Sequence, residues 1–278
     1  MKYLNLGCGS RFHPAWENVD FVAADSSVRV LDLRERTPYP ENAFDVVYHS
    51  HVLEHFPRSR ALEFLRECHR VLKPGGVLRV AVPDLEGIAR LYLESLEKAS
   101  TGQPGWADKY EWMVMEMYDQ CVKEQSRSEV FQFLSRNPMP NQEFIIQRWG
   151  TFAIPVLNGV RDNLQSMETA SPSSSVAWKY ILSHPLEVLQ NKLIRLLIGQ
   201  EKWEALDVGL FRRAGEVHMW MYDFYSLGKL LRDAGFSKVQ RVEPTESRIP
   251  GWADFHLDSE PDGRIYKADS LYIEASKS

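Results

Sequence analysis

The chain has 278 residues, of which 44% are hydrophobic and 26% are charged, and its formal net charge is −5. This length and composition fit one large globular domain, or an ordinary domain that carries a substantial insertion. The negative charge argues against a nucleic-acid partner, and no apolar run approaches the ~20 residues that span a bilayer. The three scattered cysteines form no disulfide or metal-binding pattern. We therefore expect a cytoplasmic protein with reduced thiols and no membrane span.

The first apolar segment, Leu4–Leu6, is followed directly by Gly7-Cys8-Gly9. This pattern predicts a buried strand that ends in a tight turn. Because glycine has no Cβ atom, backbone amides at such a turn can approach a ligand closely. Glycine turns of this kind also occur for structural reasons alone, so the interpretation depends on the residues that follow.

Asp20 lies near the end of the second predicted strand, Val19–Val22. A carboxylate in this position of a nucleotide-binding α/β fold accepts hydrogen bonds from ribose hydroxyls, and we favour this role over a turn cap. Only ten residues separate Gly9 from Asp20, whereas a parallel crossover normally needs about a dozen or more. We therefore expect a shortened crossover helix or an ordered loop. The same short spacing argues against a nicotinamide-dependent dehydrogenase.

Strands and helices alternate in the rest of the N-terminal part. Strands are predicted at Val28–Leu33, Phe44–Ser50 and Val77–Pro83, and a helix is predicted at about Arg58–Leu72. This alternation predicts an α/β fold with a mostly parallel sheet and helices on both faces. Ligands bind beyond the carboxyl ends of such strands. The residues predicted at those ends are Gly7, Asp20, Asp32, Ser50 and Pro83.

In their order and spacing, several segments resemble the class I S-adenosylmethionine-dependent methyltransferases. They are the glycine turn, Asp20, and the segments Leu31–Leu33, Pro40–Val47, Val52–Phe56, Arg70–Gly76 and Leu230–Phe236. The resemblance covers roughly residues 1–96 and 216–275. The subgroup it resembles has a short first loop and is found with glycan biosynthesis genes. The resemblance implies S-adenosylmethionine as the cofactor and a Rossmann-like, seven-stranded sheet whose last strand is antiparallel.

The resemblance also implies which residues contact the cofactor. They are Gly7, Cys8 and Gly9 at the methionine part, Asp20 at the ribose, Asp32 and Leu33 at the adenine, and Ser50 and His51 in the pocket wall. The chain departs from the family pattern at the third glycine of the first motif, where it has Ser10-Arg11. We therefore expect Arg11 to face the carboxylate of the cofactor.

Residues 98–215 lie between the two parts of the predicted cofactor-binding core, 1–97 and 216–278. So long a segment is unlike an unstructured loop, and its apolar positions predict helices at Trp106–Lys123 and after Pro185. We expect a large helical insertion that forms a cap or lid over the acceptor substrate. Contact with a second copy of the chain, as a homodimer, and contact with a membrane surface are the alternatives.

Methylation of a hydroxyl requires that the acceptor be aligned and lose its proton, a role that suits histidine near neutral pH. The candidate catalytic residues are His55 and His218. His51 and His55 have the spacing of a helical pair, but no third ligand is evident beside them, so we expect no metal site. The candidates for contact with the substrate are Asp84, Trp220 and Tyr222.

The sequence therefore predicts a methyltransferase that acts on a hydroxyl of a small molecule or glycan. Two alternatives stay open. One is a non-catalytic cofactor-binding module whose helical insertion recruits a partner. The other is a Rossmann oxidoreductase.

Overall fold

A seven-stranded sheet lies at the centre of the computed structural model, which describes residues 1–23, 25–125, 128–169 and 185–278. Its strands are β1 (Tyr3–Leu6), β2 (Trp16–Asp20), β3 (Val28–Val30), β4 (Phe44–Ser50), β5 (Leu72–Pro83), β6 (Phe236–Arg241) and β7 (Ser270–Lys277). They lie in the order β3-β2-β1-β4-β5-β7-β6, and only β7 runs antiparallel to its neighbours. The predicted Rossmann-like, mostly parallel sheet with an antiparallel last strand is confirmed.

The helices of the described residues are α1 (Arg58–Val71), α2 (Leu85–Ser100), α3 (Trp106–Val122), α4 (Glu129–Leu134), α5 (Gln142–Trp149), α6 (Ala153–Thr169), α7 (Pro185–Ile198), α8 (Gln200–Arg213) and α9 (Phe224–Asp233). The apolar sides of α1 and α9 pack on one face of the sheet, with Leu65 and Leu231 in the same core as Leu78. A capping box starts α9, because Asp223 accepts from the amide of Ser226 and the Ser226 hydroxyl accepts in return.

An ordered loop joins β1 to β2 in place of a crossover helix, as predicted. The amide of Gly7 donates to a carbonyl oxygen of β2 at 2.7 Å, which turns the chain back along that strand. Nδ2 of the buried Asn5 donates to the carbonyl oxygen of Arg11 at 3.0 Å. Nδ2 of the buried Asn18 donates to that of His13 at 2.9 Å. Because these carboxamides satisfy the loop backbone, the turn after β1 is held without a helix.

The opposite face of the sheet is covered by residues 242–269, which join β6 to β7 and include a short 3-10 helix at Trp252–Phe255. The ring of Trp252 packs edge-on against Trp16 and Tyr48, which point from β2 and β4 toward this side. A loop segment with large aromatic side chains therefore covers this second face.

Arg79, on β5, fixes this segment to the sheet. Its side chain is 0% exposed, yet it uses all five of its N–H groups. Nε donates to Asp258 at 2.8 Å, and Nη1 donates to Glu274 of β7 at 3.0 Å. The remaining donors reach the carbonyl oxygens of Glu243, Pro244 and Glu246. One buried cation therefore joins β5, β7 and the covering segment.

The helices α2 to α6 pack around a second apolar core, in which Trp112, Phe133 and Ile145 are fully buried. A backbone hydrogen bond of 2.9 Å, from Phe152 to the carbonyl oxygen of Tyr266, anchors this core at the carboxyl edge of the sheet. The predicted helices Trp106–Lys123 and after Pro185 correspond to α3 and α7. The division of the chain into a core of residues 1–97 and 216–278 and an insertion of residues 98–215 stays a prediction. The role of the insertion as a lid also stays a prediction.

The far end of α7 carries apolar side chains into solvent, since Leu196 and Leu197 are 81% and 84% exposed. The Ser-rich segment Ser171–Ser175, whose composition predicts a break between helices of the insertion, lies outside the described residues. Among the helices that are described, none combines the length and the apolar character needed to cross a membrane.

Candidate active site

Three cavities open beyond the carboxyl ends of β1, β2 and β4. The strand-edge cavity has a volume of about 430 Å³, and its wall includes Gly7, Asp20, Asp32, Leu33, His51 and His55. The turn cavity, of about 310 Å³, is bounded by residues 7–11 and by Ser50, His51 and Lys267. The third cavity, of about 280 Å³, is bounded by residues of α2 to α5 and by His51, His55, His218 and Lys267, and we call it the insertion cavity after the predicted insertion. His51 lines all three cavities, so they meet at its imidazole.

The turn after β1 and the acid after β2 form one unit in the wall of two of these cavities. Gly7 and Gly9 have φ angles of 69° and 52°, which glycine adopts without strain. The amide of Gly9 donates to Oδ2 of Asp20 at 2.7 Å, and the amide of Val22 donates to Oδ1 at 3.3 Å. Each carboxylate oxygen retains a second lone pair that can accept a hydrogen bond from a ligand.

Glu54 is the centre of a histidine cluster where the cavities meet. It lies with His55 on a 3-10 helix, Leu53–His55, directly after β4. Its Oε1 is 3.2 Å from Nδ1 of His51. The ring of His218 lies 4.9 Å from that of His55, at 83°. The carbonyl oxygen of Glu54 accepts from the amide of Met219 at 2.6 Å, which brings the His218 segment onto the 3-10 helix.

Burial sets the charge of this cluster. It lowers the pKa of His51 to about 4 and the pKa of His218 to about 3, so both imidazoles are neutral at neutral pH. Burial alone would raise the pKa of Glu54, but the positive charge that His51, His218 and His55 carry when protonated outweighs burial and holds this pKa below its usual range. The cluster therefore holds a buried carboxylate beside neutral imidazoles.

A second set of charged groups lines the insertion cavity. Glu116 pairs with Arg148. Burial, together with the negative charge of Glu116, raises the pKa of Asp269 to about 7. Burial lowers the pKa of Lys267, which lies between the turn cavity and the insertion cavity. The cavity thus offers charged and hydrogen-bonding groups next to an apolar wall.

A family model described as a methyltransferase domain matches residues 4–80 of this chain. The match begins in β1, ends in β5, and contains the glycine turn, Asp20, Asp32 and the Glu54 helix. Residues 4–80 form a methyltransferase domain. The predicted class, the S-adenosylmethionine-dependent methyltransferases, and its cofactor are confirmed for this domain. The subgroup found with glycan biosynthesis genes stays a prediction.

Several solved structures are similar to this chain. The cyclase SpnF is 26% identical, with a TM-score of 0.25, over 29% of this chain and 38% of that chain. An S-adenosylmethionine-dependent methyltransferase from Archaeoglobus fulgidus is 22% identical, with a TM-score of 0.27, over 33% of this chain and 50% of that chain. A methyltransferase from Thermotoga maritima, described as a possible histamine N-methyltransferase, is 12% identical, with a TM-score of 0.39, over 100% and 82%. These TM-scores are too low for any of the three activities to be carried over. No curated protein matches the chain.

The methyltransferase domain has a backbone cradle that fits S-adenosylmethionine. A Cβ atom at Gly7 would lie 2.3 Å from Cγ2 of Val52, so only a hydrogen atom fits between this turn and the cavity wall. Asp20, at the end of β2, presents a carboxylate of the kind that binds ribose hydroxyls. The strand-edge cavity, at about 430 Å³, is within the range of small-molecule sites.

The other residues predicted to contact the cofactor lie around the same cavities. Cys8 is buried, and burial raises its pKa to about 11, so it stays a thiol. Asp32 is bound by Arg34 at 2.7 Å, and this contact holds the pKa of Asp32 below its usual range. Leu33 lines the strand-edge cavity and Ser50 the turn cavity. Their contacts with the cofactor stay predictions.

Arg11 lies in the wall of the turn cavity, but its guanidinium is already engaged. It pairs with Glu260 and stacks 3.7 Å above the ring of Tyr266. To reach a cofactor carboxylate, it would have to share its donors with Glu260. That Arg11 contacts the cofactor stays a prediction.

The residues predicted to contact the substrate are dispersed. Asp84 caps α2 by accepting from the amide of Glu86 at 3.2 Å. Trp220 stacks under Arg58 at 4.8 Å, outside the three cavities. Tyr222 is buried, and its hydroxyl has no hydrogen-bond partner among the described residues. A substrate role for these three residues stays a prediction.

Sequence reasoning placed no functional role on Glu54, Lys267 or Asp269. Glu54 is a carboxylate between His51 and His55 in an otherwise apolar segment, a signal that a buried charge is present. Lys267 and Asp269 gave no comparable signal, because their place in the cavity wall follows from the long segment before β7.

Replacing Gly7 by Ala is expected to weaken S-adenosylmethionine binding by about tenfold or more, because the added methyl both strains a left-handed backbone and meets Val52. Gly9→Ala is the matched control, since its backbone is also left-handed but nothing lies within 4 Å of its Cβ position. Isothermal titration should therefore give the larger loss for Gly7→Ala. Equal affinities for wild type and Gly7→Ala would contradict this account of the turn.

Proposed function

We propose that this protein transfers a methyl group from S-adenosylmethionine to a hydroxyl of a small molecule or glycan. The observation that carries the proposal is the shared wall of the strand-edge and insertion cavities, formed by His51 and His55. A cofactor in the first cavity and an acceptor in the second would meet at the Glu54 cluster. That is where a hydroxyl must lose its proton before or during methylation.

When bound, S-adenosylmethionine supplies an electrophilic methyl group on a sulfonium. The chain's own residues align the acceptor and receive its proton. Nδ1 of His55 is 3.2 Å from the carbonyl oxygen of Val217, which can only accept a hydrogen bond, so this nitrogen carries a proton. The lone pair on Nε2 is then available at the cavity wall. The ring of His51 forms a hydrogen bond of 2.8 Å with the hydroxyl of Ser270, and its Nδ1 lies 3.2 Å from Oε1 of Glu54.

The insertion cavity supports an acceptor with a ring and several hydroxyls. Its apolar wall includes Met115, Met117, Trp149, Phe152 and Met221. Aromatic rings and methionine side chains pack well against sugar or aryl faces. Lys267 and Asp269 then offer partners for hydroxyls on the acceptor. At about 280 Å³, the cavity fits one such ring rather than a polymer.

A partner-binding role is the second candidate, and the exposed leucines of α7 favour it. Leu196 and Leu197 would be covered if α7 contacted a second copy of the chain or another protein. We also propose that the protein is located in the cytoplasm. Gel filtration with light scattering tests the homodimer, which is expected to give twice the mass of 32.1 kDa.

Asp20→Ala is expected to weaken S-adenosylmethionine binding by about 10- to 100-fold, because a charged acceptor is lost. Asp25→Ala, on the exposed loop that follows β2, is the matched control and should bind as the wild type does. The measurement is isothermal titration of each pure variant. A wild-type protein that binds no S-adenosylmethionine would overturn the proposed function. An acceptor panel read out by S-adenosylhomocysteine release separates the enzyme from the binding module, which would give none.

A further inference from the structure

We propose that Glu54, His55 and His218 bind a divalent transition-metal ion where the strand-edge and insertion cavities meet. Each of the three offers one ligand atom, and these atoms lie within 4.8 Å of one another. From the sequence alone we expected no metal site beside His51 and His55. The fold brings Glu54 and His218 next to His55, and His51 is not among the three ligands.

The carboxylate of Glu54 is the first reason for the proposal. Its side chain is 0% exposed, and neither oxygen has a hydrogen-bond partner in the described part of the chain. Oε1 is 3.2 Å from Nδ1 of His51, but the two are not aligned as a hydrogen bond. Among the described residues, no Lys or Arg forms an ion pair with Glu54. A buried carboxylate without partners is costly, and a bound cation would compensate it.

The imidazole of His55 is arranged as a metal ligand usually is. A ligating histidine typically donates its second ring N–H to a backbone carbonyl, which fixes the tautomer and directs the other nitrogen to the metal. Nδ1 of His55 has this contact with Val217 at 3.2 Å, which leaves Nε2 for the ion. His218 is fixed by its own amide, which donates to the carbonyl oxygen of Gln120 at 2.9 Å.

The distances between the ligand atoms allow an ion with small side-chain adjustments. Ligands ~2.1 Å from zinc lie ~3.0–3.5 Å apart, so atoms now within 4.8 Å need to approach by up to about 1.5 Å. The three residues are in segments joined by the hydrogen bond from Met219 to Glu54, so rotation of side chains alone can close the site.

Two imidazole nitrogens and one carboxylate oxygen form a donor set that binds zinc and other first-row divalent ions and leaves coordination positions open. Since His55 and His218 both line the insertion cavity, the open positions face the acceptor side. If the proposed function holds, the ion would occupy Nε2 of His55, bind the acceptor hydroxyl and lower its pKa, and the released proton would pass to solvent.

The test is zinc binding by the full-length protein after removal of metals with a chelator. We expect one zinc ion per chain by isothermal titration and a rise in Tm when zinc is added. Glu54→Gln and His218→Ala should each weaken zinc binding by about 100-fold or more, because a ligand is lost. His13→Ala removes a histidine on the loop before β2, away from the cluster, and should bind zinc as the wild type does.

The proposal is overturned if the wild-type protein has no affinity for zinc. It is also overturned if wild type, Glu54→Gln and His218→Ala bind zinc with equal affinity. An equal loss in His13→Ala would assign the zinc to surface histidines. Circular dichroism shows whether each variant is folded. If one of the two ligand variants does not fold, the other still tests the site. Titration of S-adenosylmethionine into the metal-free protein tests the proposed function separately, because the cofactor residues Gly7 and Asp20 are not in this cluster.

Discussion

Replacing Arg79 by Met is expected to lower the free energy of unfolding by about 3–5 kcal/mol. Arg79 is 0% exposed, and it is the cation that Asp258 and Glu274 share. Its removal would leave both carboxylates buried without that cation, and it would leave three carbonyl oxygens of the covering segment without their donor. Met fills much of the same volume, so the loss would come from charge and hydrogen bonding rather than from a cavity.

Urea unfolding followed by circular dichroism measures this loss, and tryptophan fluorescence reports the covering segment through Trp252, whose ring lies 4.3 Å from the Arg79 guanidinium. Arg264→Met is the control, since that arginine pairs with Asp262 on the exposed surface and should change stability by about 0.5 kcal/mol or less. The triple variant Arg79→Met, Asp258→Asn, Glu274→Gln should recover part of the loss, because no buried charge is left unpaired. A loss below about 1 kcal/mol for Arg79→Met would contradict the role of Arg79.

The sheet could be predicted from the sequence because its signals are local. Apolar runs and turn residues within a few positions of one another mark β1, β4 and the helix α1, and the structure places them within a residue or two of the prediction. Three strands differ from the prediction. The second strand is Trp16–Asp20 rather than Val19–Val22, and the third ends at Val30 rather than Leu33. The strand β5 begins at Leu72 rather than Val77, because Lys73–Gly76 continues beside β4 with an irregular register. Local chemistry also identified Gly9 and Asp20, which the fold joins in one hydrogen bond.

The packing of residues 242–269 on the second face of the sheet could not be predicted, because it depends on contacts between residues far apart in the chain. Arg79 is 179 residues from Asp258 and 195 from Glu274. The only local signal was an arginine in the otherwise apolar segment Val77–Val82, which indicates a buried charge but not its partner. The same limit applies to the histidine cluster, where His55 contacts Val217 across 162 residues.

Glu54 shows how a local signal can be present and still leave the role open. The segment Val52–Phe56 was part of the family resemblance, and His55 was proposed as the base from it. The sequence alone did not show whether the carboxylate of Glu54 faces solvent or the interior. It is buried because the segment before α9 packs on the 3-10 helix, where the amide of Met219 donates to the carbonyl oxygen of Glu54. A buried acid among histidines is a functional feature only once that cover is known.

Replacing Glu54 by Gln is expected to lower turnover by about 100- to 10,000-fold, the range seen when proton transfer is impaired. Gln has the same shape, so the three histidines keep their places, but the only carboxylate of the cluster is lost. The expected loss is the same whether Glu54 orients His51 and polarises the cluster or binds a metal ion. Binding of S-adenosylmethionine should stay unchanged, because Glu54 does not line the strand-edge cavity. His55→Ala and His218→Ala should also lose turnover.

The same substitution should make the metal-free protein more stable, which a purely structural role for Glu54 would not do. At neutral pH the rings of His51 and His218 are uncharged, and an amide then costs less to bury than a carboxylate that has no hydrogen bond. We therefore expect a gain of about 1 kcal/mol, or roughly 2 °C in Tm, at neutral pH with a chelator present. Glu97→Gln, on the exposed side of α2, should change neither turnover nor Tm. Wild-type turnover in Glu54→Gln would exclude Glu54 from the reaction, and a lower Tm would show that the carboxylate serves the fold. We expect Glu54→Gln to lose turnover and to have a higher Tm, because the buried carboxylate of Glu54 serves the reaction and lowers the stability of the fold.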